Sequence, residues 1–130
     1  MAYDVFLHHV GLYVADVDAN VRFYTAALAP LGIVAGAEYE RGVEFWREGE
    51  DTPSLGVDQV HDGDPVTSGV HLAFCADSRA GVDAFFAAAV AAGGEPRHAP
   101  RFWPEYRAYC AFVSDPGGNN VEALIKEIPA

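Results

Sequence analysis

An internal repeat constrains the fold of this chain more than any other feature of its sequence. Residues 62 positions apart match without a gap through a strand-like segment, a helical segment and the glycine that follows it. The clearest pairs are His9 with His71, Phe23 with Phe85, Tyr24 with Phe86, and Gly32 with Gly94. A repeat of about sixty residues indicates two similar modules, which we expect to form a single domain over residues 1–130.

Each half of the chain begins with the pattern of a strand followed by a helix. Residues 7–14 are rich in β-branched and aromatic side chains. Asp16 is a favourable N-cap for the following helix, which Gly32 would end. In the second half, a strand over residues 70–76 precedes a helix with Ser78 at its N-cap.

Three shorter strands are predicted after each helix. They fall near residues 33–39, 42–48 and 53–58 in the first half, and near 95–99, 106–113 and 119–125 in the second. The turn sequence DPGGN joins the last two strands. The pattern predicts an α+β fold of two tandem βαβββ modules. Module 1 covers about residues 5–58 and module 2 about residues 69–126.

The charge of the chain limits its partners. Eight Lys and Arg residues stand against 19 Asp and Glu residues, a formal net charge of −11. Because this charge repels phosphate backbones and anionic lipids, we expect a small-molecule ligand rather than nucleic acid or a membrane. The absence of a spanning-length apolar stretch and of a signal-peptide pattern predicts a cytoplasmic protein. Cys75 and Cys110 lack Cys-x-x-Cys spacing and are predicted to be buried free thiols.

Alternation along the strands separates candidate functional side chains from the core. His9, His71 and Glu122 each lie on the strand face opposite the apolar residues beside them, so they could converge in a shared cleft. A single strand histidine or glutamate is commonly a structural or solvated group. The equivalent positions of the two histidines in both repeats favour ligands instead. Two imidazoles and one carboxylate suit Fe(II), Zn, Mn or Ni and leave positions open for substrate.

Three segments together resemble the vicinal oxygen chelate superfamily, which includes glyoxalase I, bleomycin and fosfomycin resistance proteins and extradiol dioxygenases. These segments are HVGLYVAD at residues 9–16, HLAF at 71–74 and DPGGNNVE at 115–122. The resemblance implies an open, cup-shaped mixed sheet around a metal held by His9, His71 and Glu122. It also implies a tyrosine near the metal, here Tyr109, whose phenol would donate a hydrogen bond to a substrate oxygen.

One position departs from the pattern of glyoxalase I, which has four protein ligands, two from each module. Matching the apolar residues of the two last strands puts Gly56 opposite Glu122. Glycine has no side chain that could bind a metal, and Asp58 would reach the site only with a shifted register. This argues against glyoxalase I activity. The remaining set of two histidines and one carboxylate is also used by non-haem Fe(II) oxygenases.

A local cluster of basic and aromatic residues lies at 97–107, in contrast to the acidic chain as a whole. Arg101 and Trp103 are candidate substrate contacts there, an anion-binding group and an apolar wall. Tyr13, on the same strand face as His9, is a third candidate. The alternative is that the arginines of an exposed loop pair with the acidic stretch at 38–64.

Two functions remain open on the sequence, besides a degenerate structural module, which the set of three ligand-type residues disfavours. The first is a metal-dependent enzyme that chelates two vicinal oxygens of a small substrate, with dioxygenase, isomerase or lyase chemistry. The second is a metal-free binding protein of the bleomycin-resistance type that sequesters a drug or metabolite. A homodimer is expected because open sheets leave edges to be covered. The sequence does not show whether the site is built within one chain or across two chains.

Overall fold

The computed structural model describes residues 4–128, which form two successive βαβββ units. The elements of the first unit are β1 (His9–Val14), α1 (Val17–Leu28), a 3₁₀ turn (Ala29–Leu31), β2 (Ile33–Tyr39), β3 (Gly42–Arg47) and β4 (Ser54–Gln59). Those of the second are β5 (His71–Cys75), α2 (Arg79–Ala91), β6 (Glu95–Trp103), β7 (Ala108–Ser114) and β8 (Asn120–Lys126). None of the helices in this part of the chain is long and apolar enough to cross a membrane.

Each unit folds into its own four-stranded mixed sheet. The strand orders are β1-β4-β3-β2 and β5-β8-β7-β6, so the two sheets have the same topology. In each sheet the first and last strands of the unit pair in parallel, and the other pairs are antiparallel. The predicted fold of two tandem βαβββ modules is confirmed.

The predicted helix boundaries follow from local hydrogen bonds. The side chain of Asp16 accepts a hydrogen bond from the Ala19 amide at 3.0 Å, and Ser78 accepts one from Gly81 at 3.0 Å. Both caps satisfy amides that the first helical turn leaves without partners. Gly32 ends the 3₁₀ turn with a φ of 77°, a conformation that glycine adopts without strain.

The helix-facing sides of both sheets pack into one shared core. Helix α1 contacts α2, and buried side chains of both modules belong to a single cluster. Its largest fully buried members include Phe23, Phe85, Val113 and Val121. Gly94 allows this close approach, since a Cβ atom there would lie 2.6 Å from Cε1 of Phe23. We call the opposite side of each sheet, turned away from the helices, its outward face.

A buried polar contact also joins the two modules. The hydroxyl of Tyr24 in α1 donates a 2.6 Å hydrogen bond to Oδ2 of Asp115, at the start of the turn before β8. Oδ1 of Asp115 accepts hydrogen bonds from the amides of Gly117 and Asn119, both at 2.9 Å. Burial and the neighbouring carboxylate raise the pKa of Tyr24, so its hydroxyl remains a donor. The predicted DPGGN turn is therefore also a link between modules.

Candidate functional site

His71 and Glu122 form a close pair on the outward face of the second sheet. Nε2 of His71 lies 2.8 Å from Oε1 of Glu122. The pair is possible because β5 and β8 run in parallel with Ala73 directly opposite Glu122, and alanine leaves the space above the strand open. The glutamate side chain is 9% exposed and the imidazole 52% exposed. The carboxylate thus lies at the floor of the site, and the imidazole is accessible at its rim.

Cys110 of β7 lies on the same face as Glu122, and its side chain is buried. Burial, and then a hydrogen bond to Glu122, raise the pKa of Cys110 to about 12. A thiol with this pKa stays protonated at neutral pH and acts as a donor to the carboxylate, not as a nucleophile. Cys75 is exposed, so the expectation that both thiols are buried is wrong for it. The reason is that Cys75 lies on the outward face, opposite to Phe74.

This difference predicts the reactivity of the two thiols. In the folded protein at mildly alkaline pH, a disulfide reagent such as dithionitrobenzoate is expected to modify Cys75 quickly and Cys110 only after denaturation, because only the thiolate reacts. Absorbance at the thionitrobenzoate band counts the modified thiols. The Cys75→Ser variant should lose the fast phase completely, and a fast phase that survives in that variant would contradict the placement of Cys110.

An aromatic wall continues from the pair across the outward face, formed by Phe112, His98 and Trp103. The ring centroids of His71 and Phe112 are 6.0 Å apart, those of Phe112 and His98 5.5 Å, and those of His98 and Trp103 5.2 Å. These contacts form a continuous row of rings from His71 on β5 through Phe112 on β7 to His98 and Trp103 on β6. The indole Nε1 of Trp103 is buried without a hydrogen-bond partner in the described residues.

Arg101 lies over this wall, with its guanidinium 3.4 Å from the Trp103 ring centroid. Strand β6 extends through Trp103, so Arg101 and Trp103 belong to this strand and not to a loop between the strands predicted near 95–99 and 106–113. Two irregularities in the β6–β7 register interrupt the alternation that would have shown this strand in the sequence. Within residues 4–128 no carboxylate forms an ion pair with Arg101. The alternative prediction, an ion pair with the acidic stretch at 38–64, is therefore not observed for Arg101 in these residues.

His9 lies on the outward face of the first sheet, in a separate pocket of about 250 Å³. Tyr13 and the carboxylates of Glu44 and Asp58 also line this pocket. His71 and Glu122 do not line this pocket. Among the described residues, no group of three His, Cys, Asp or Glu side chains is close enough to hold a metal ion.

The register of the two sheets agrees with the predicted match of Gly56 to Glu122. Gly56 pairs with Gly11 in the first sheet, and Glu122 pairs with Ala73 in the second. Gly11 and Ala73 are 62 positions apart, so they are equivalent in the repeat, and Gly56 and Glu122 are therefore equivalent as well. The neighbouring carboxylate is Glu44, the direct partner of Gly56 on β3. It accepts hydrogen bonds from Oγ of Ser54 at 2.6 Å and from the hydroxyl of Tyr39 at 3.2 Å.

Glu44 is a candidate that the sequence reasoning missed. The signal was present, because Glu44 stands between Val43 and Phe45, two apolar residues whose side chains are buried. Strand alternation places it opposite them, on the face that carries His9. The carboxylate of Glu44 therefore lies beside Gly56, the glycine at the position that matches Glu122 in the second module.

Tyr109 requires a correction. Its hydroxyl donates a 2.7 Å hydrogen bond to Asp83 of α2, and its ring lies 4.5 Å from the guanidinium of Arg79. The hydrogen bond to Asp83 raises the pKa of Tyr109. Tyr109 therefore faces the helix, on the side of β7 opposite to Phe112, and not the His71 and Glu122 pair. The prediction that Tyr109 lies beside the metal ligands is wrong. Side chains alternate along β7, so Tyr109 and Ala111 both point toward helix α2.

Comparison with known proteins shows the family of the chain. A family model described as the Glyoxalase/Bleomycin resistance protein/Dioxygenase superfamily matches residues 6–123. A solved glyoxalase/bleomycin resistance protein from Albidiferax ferrireducens T118 is 31% identical, with a TM-score of 0.81; the match covers 96% of this chain and 100% of that one. No match was found among curated protein sequences.

Two more distant structures share the fold. A lactoylglutathione lyase from Agrobacterium tumefaciens is 24% identical with a TM-score of 0.64, covering 95% of this chain and 94% of that one. An antibiotic-binding protein from Streptomyces sp. CB03234 is also 24% identical, with a TM-score of 0.67 and coverage of 95% and 96%. With the family match over most of its length, this chain belongs to the glyoxalase/bleomycin resistance protein/dioxygenase superfamily.

Proposed function

We propose that this protein binds a divalent metal ion through His71 and Glu122 and holds a small organic substrate against the aromatic wall beside them. The observation that carries the proposal is the 2.8 Å contact between Nε2 of His71 and Oε1 of Glu122 on an open face. An imidazole and a carboxylate fit Fe(II), Zn, Mn or Ni. The protonated thiol of Cys110 donates a hydrogen bond to the carboxylate and orients it.

His9 of a second copy is the third ligand in this proposal. A two-fold symmetric partner would set the outward face of its first sheet against the outward face of this chain's second sheet. The charges of the two faces support this arrangement, because Glu44 and Asp58 lie on the first and Arg101 on the second. Such a homodimer contains two equivalent sites, each with two histidines and one glutamate.

The bound ion would supply Lewis acidity, stabilising negative charge on two vicinal oxygens of the substrate. The chain's own groups bind and orient that substrate. Arg101 has no carboxylate partner in the described residues and can pair with an anionic group. Phe112, His98 and Trp103 exclude water from one side. Dioxygenase, isomerase and lyase reactions use these functions, whereas glyoxalase I activity is not proposed, because Gly56 supplies no fourth ligand.

A second candidate function is metal-free binding of a drug or metabolite. It is favoured by the lack of a three-donor group within the described residues of one chain. The aromatic wall and Arg101 are in place without any metal and would bind a planar anionic compound by themselves. The similar structure of an antibiotic-binding protein is compatible with this alternative.

Metal titration distinguishes the two functions. Protein stripped with a chelator is titrated with Zn²⁺, Mn²⁺, Ni²⁺ and, without oxygen, Fe²⁺, and uptake is followed by calorimetry and elemental analysis. The proposal expects saturation at about one ion per chain for at least one of the four, as a site with open positions requires. Failure of all four ions to bind stoichiometrically would overturn the metal proposal and leave the binding protein.

A further inference from the structure

Asn120 lies beside His71 and Glu122 on the outward face of the second sheet. It is the first residue of β8 and the direct neighbour of His71 on β5 and of Ser114 on β7. Side chains alternate along a strand, so Asn120 points to the same face as Glu122, two residues further on. Its amide is therefore a further polar group next to the two proposed metal ligands.

The amide oxygen of Asn120 is buried and has no hydrogen-bond partner among residues 4–128. The adjacent Asn119 shows the opposite. Its Oδ1 accepts a 3.1 Å hydrogen bond from the amide of Val70, and its Nδ2 donates one to Asp115 at 3.3 Å. Buried polar groups of folded proteins nearly always have such partners. Asn119 therefore stabilises the fold, whereas Oδ1 of Asn120 lacks a donor from these residues.

The side chains on both sides of Asn120 are bound to other groups. Oγ of Ser114 accepts a 2.7 Å hydrogen bond from Nε of Arg97. On the other side, Nε2 of His71 lies 2.8 Å from Oε1 of Glu122. Oδ1 of Asn120 is thus open to a donor from a bound molecule.

A ligand on the aromatic wall would extend between Asn120 and Arg101. Phe112 pairs with Glu122 across β7 and β8, so Asn120 is its diagonal neighbour, at a separation that an aromatic group bridges. The ring centroid of Trp103, over which the guanidinium of Arg101 lies, is 5.6 Å from that of Phe112. A ring packed on Phe112 therefore has an acceptor on one side and a cation on the other.

We propose that Asn120 is a specificity-determining residue that binds a hydroxyl group of the substrate, and that the substrate is an aromatic carboxylate with a hydroxyl group on its ring. The ring packs against Phe112, the carboxylate pairs with Arg101, and the hydroxyl donates a hydrogen bond to Oδ1 of Asn120. This rests on the proposed function in one respect, since both take the outward face of the second sheet as the place where the substrate binds.

The hydroxyl follows from the chemistry of Oδ1. An amide oxygen only accepts hydrogen bonds, so a carboxylate or an ether oxygen leaves it unpaired, whereas a hydroxyl supplies the hydrogen. Asn120 is half-buried, and rotation about its χ2 torsion, which has broad preferences, turns Oδ1 toward the open side of the face. A site that binds a substrate hydroxyl discriminates strongly against the analogue without it, because the polar group is then left unpaired.

Calorimetric titration of the metal-free protein with simple probes tests this assignment. With a chelator present, wild type is expected to bind 3-hydroxybenzoate or 4-hydroxybenzoate at least about tenfold more tightly than benzoate. The matching methoxybenzoates should bind no more tightly than benzoate, since they have no hydrogen to donate. Asn120→Leu and the smaller Asn120→Ala should both lose the preference for the hydroxyl and keep the affinity for benzoate. Gln59→Leu, which removes an amide of the first module that donates to Ala15, is the matched control and should keep the preference.

The outcomes separate the role of Asn120 from the metal proposal. Circular dichroism establishes that each variant is folded. A wild type that binds neither hydroxybenzoate, or binds both no more tightly than benzoate, overturns the assignment. A folded Asn120→Ala variant that keeps the preference also overturns it, as does one that loses affinity for benzoate and hydroxybenzoate by the same factor, the result of a merely structural role. If the preference depends on Asn120 but metal titration finds no bound ion, the assignment stands and only the metal function fails.

Discussion

Replacing His71 with alanine is expected to abolish stoichiometric metal binding, reducing it from about one ion per chain to none. His71 supplies one of the two donor atoms that the chain itself places 2.8 Å apart. Loss of groups that only orient a ligand already costs about 10- to 100-fold in affinity, so loss of the ligand should exceed a hundredfold. Elemental analysis after dialysis and calorimetric titration measure the two quantities.

His61→Ala is the matched control for this experiment. His61 is an exposed histidine in the segment between the modules, so its removal should leave the metal content unchanged. A full equivalent of metal retained by the His71→Ala variant would show that the ion is held elsewhere. Loss of metal in both variants would indicate nonspecific binding to surface imidazoles.

Mixed dimers report whether two chains share the site. The His9→Ala and His71→Ala variants are each expected to bind metal poorly. A heterodimer of the two contains one site with His9 from one chain and both His71 and Glu122 from the other. Mixing and re-equilibrating the variants should therefore restore part of the metal binding. No restoration, despite exchange of subunits, would contradict a site built from two chains.

Replacing Asp115 with alanine is expected to lower the free energy of unfolding by about 3–5 kcal/mol. The carboxylate of Asp115 is buried and accepts hydrogen bonds from the Tyr24 hydroxyl and from the amides of Gly117 and Asn119. Alanine leaves these donors buried without partners and loosens the contact between the two modules. Urea denaturation followed by circular dichroism gives the difference.

Two further variants locate the source of this effect. Tyr24→Phe removes one hydrogen bond and should cost less, about 1–2 kcal/mol, because the amides of the turn keep their acceptor. Asp62→Ala changes an exposed aspartate and should stay within about 0.5 kcal/mol of the wild type. An Asp115→Ala variant as stable as Asp62→Ala would show that the buried network contributes little.

Local patterns in the sequence predicted much of the fold. The repeat of His9 and His71 predicted two modules, and the capping residues Asp16 and Ser78 predicted where both helices begin. These features depend on neighbouring residues, whose preferences act within one turn or one strand. Alternation also placed Gly56 and Glu122 at equivalent positions, because side chains reverse direction at every residue of a strand.

The errors arose from irregular strand pairing, from the family resemblance and from the packing of the modules. Irregular pairing hid the second half of β6, so Arg101 was expected in a loop. The family resemblance put Tyr109 near the metal, although its own alternation turns it toward Asp83 of α2. The distance between His9 and the pair of His71 with Glu122 depends on how the modules pack, which alternation does not describe.

The sequence by itself determined the modules, the caps and the face of each strand that carries His9, His71 and Glu122, because all of these follow from local geometry. Only the tertiary structure decided how the two modules pack against each other. The packing of α1 against α2 buries the helix-facing sides of both sheets in one core, and among residues 4–128 His9 then forms no metal-holding group with His71 and Glu122. That arrangement is set by burial of apolar surface across the whole chain, which no segment specifies alone.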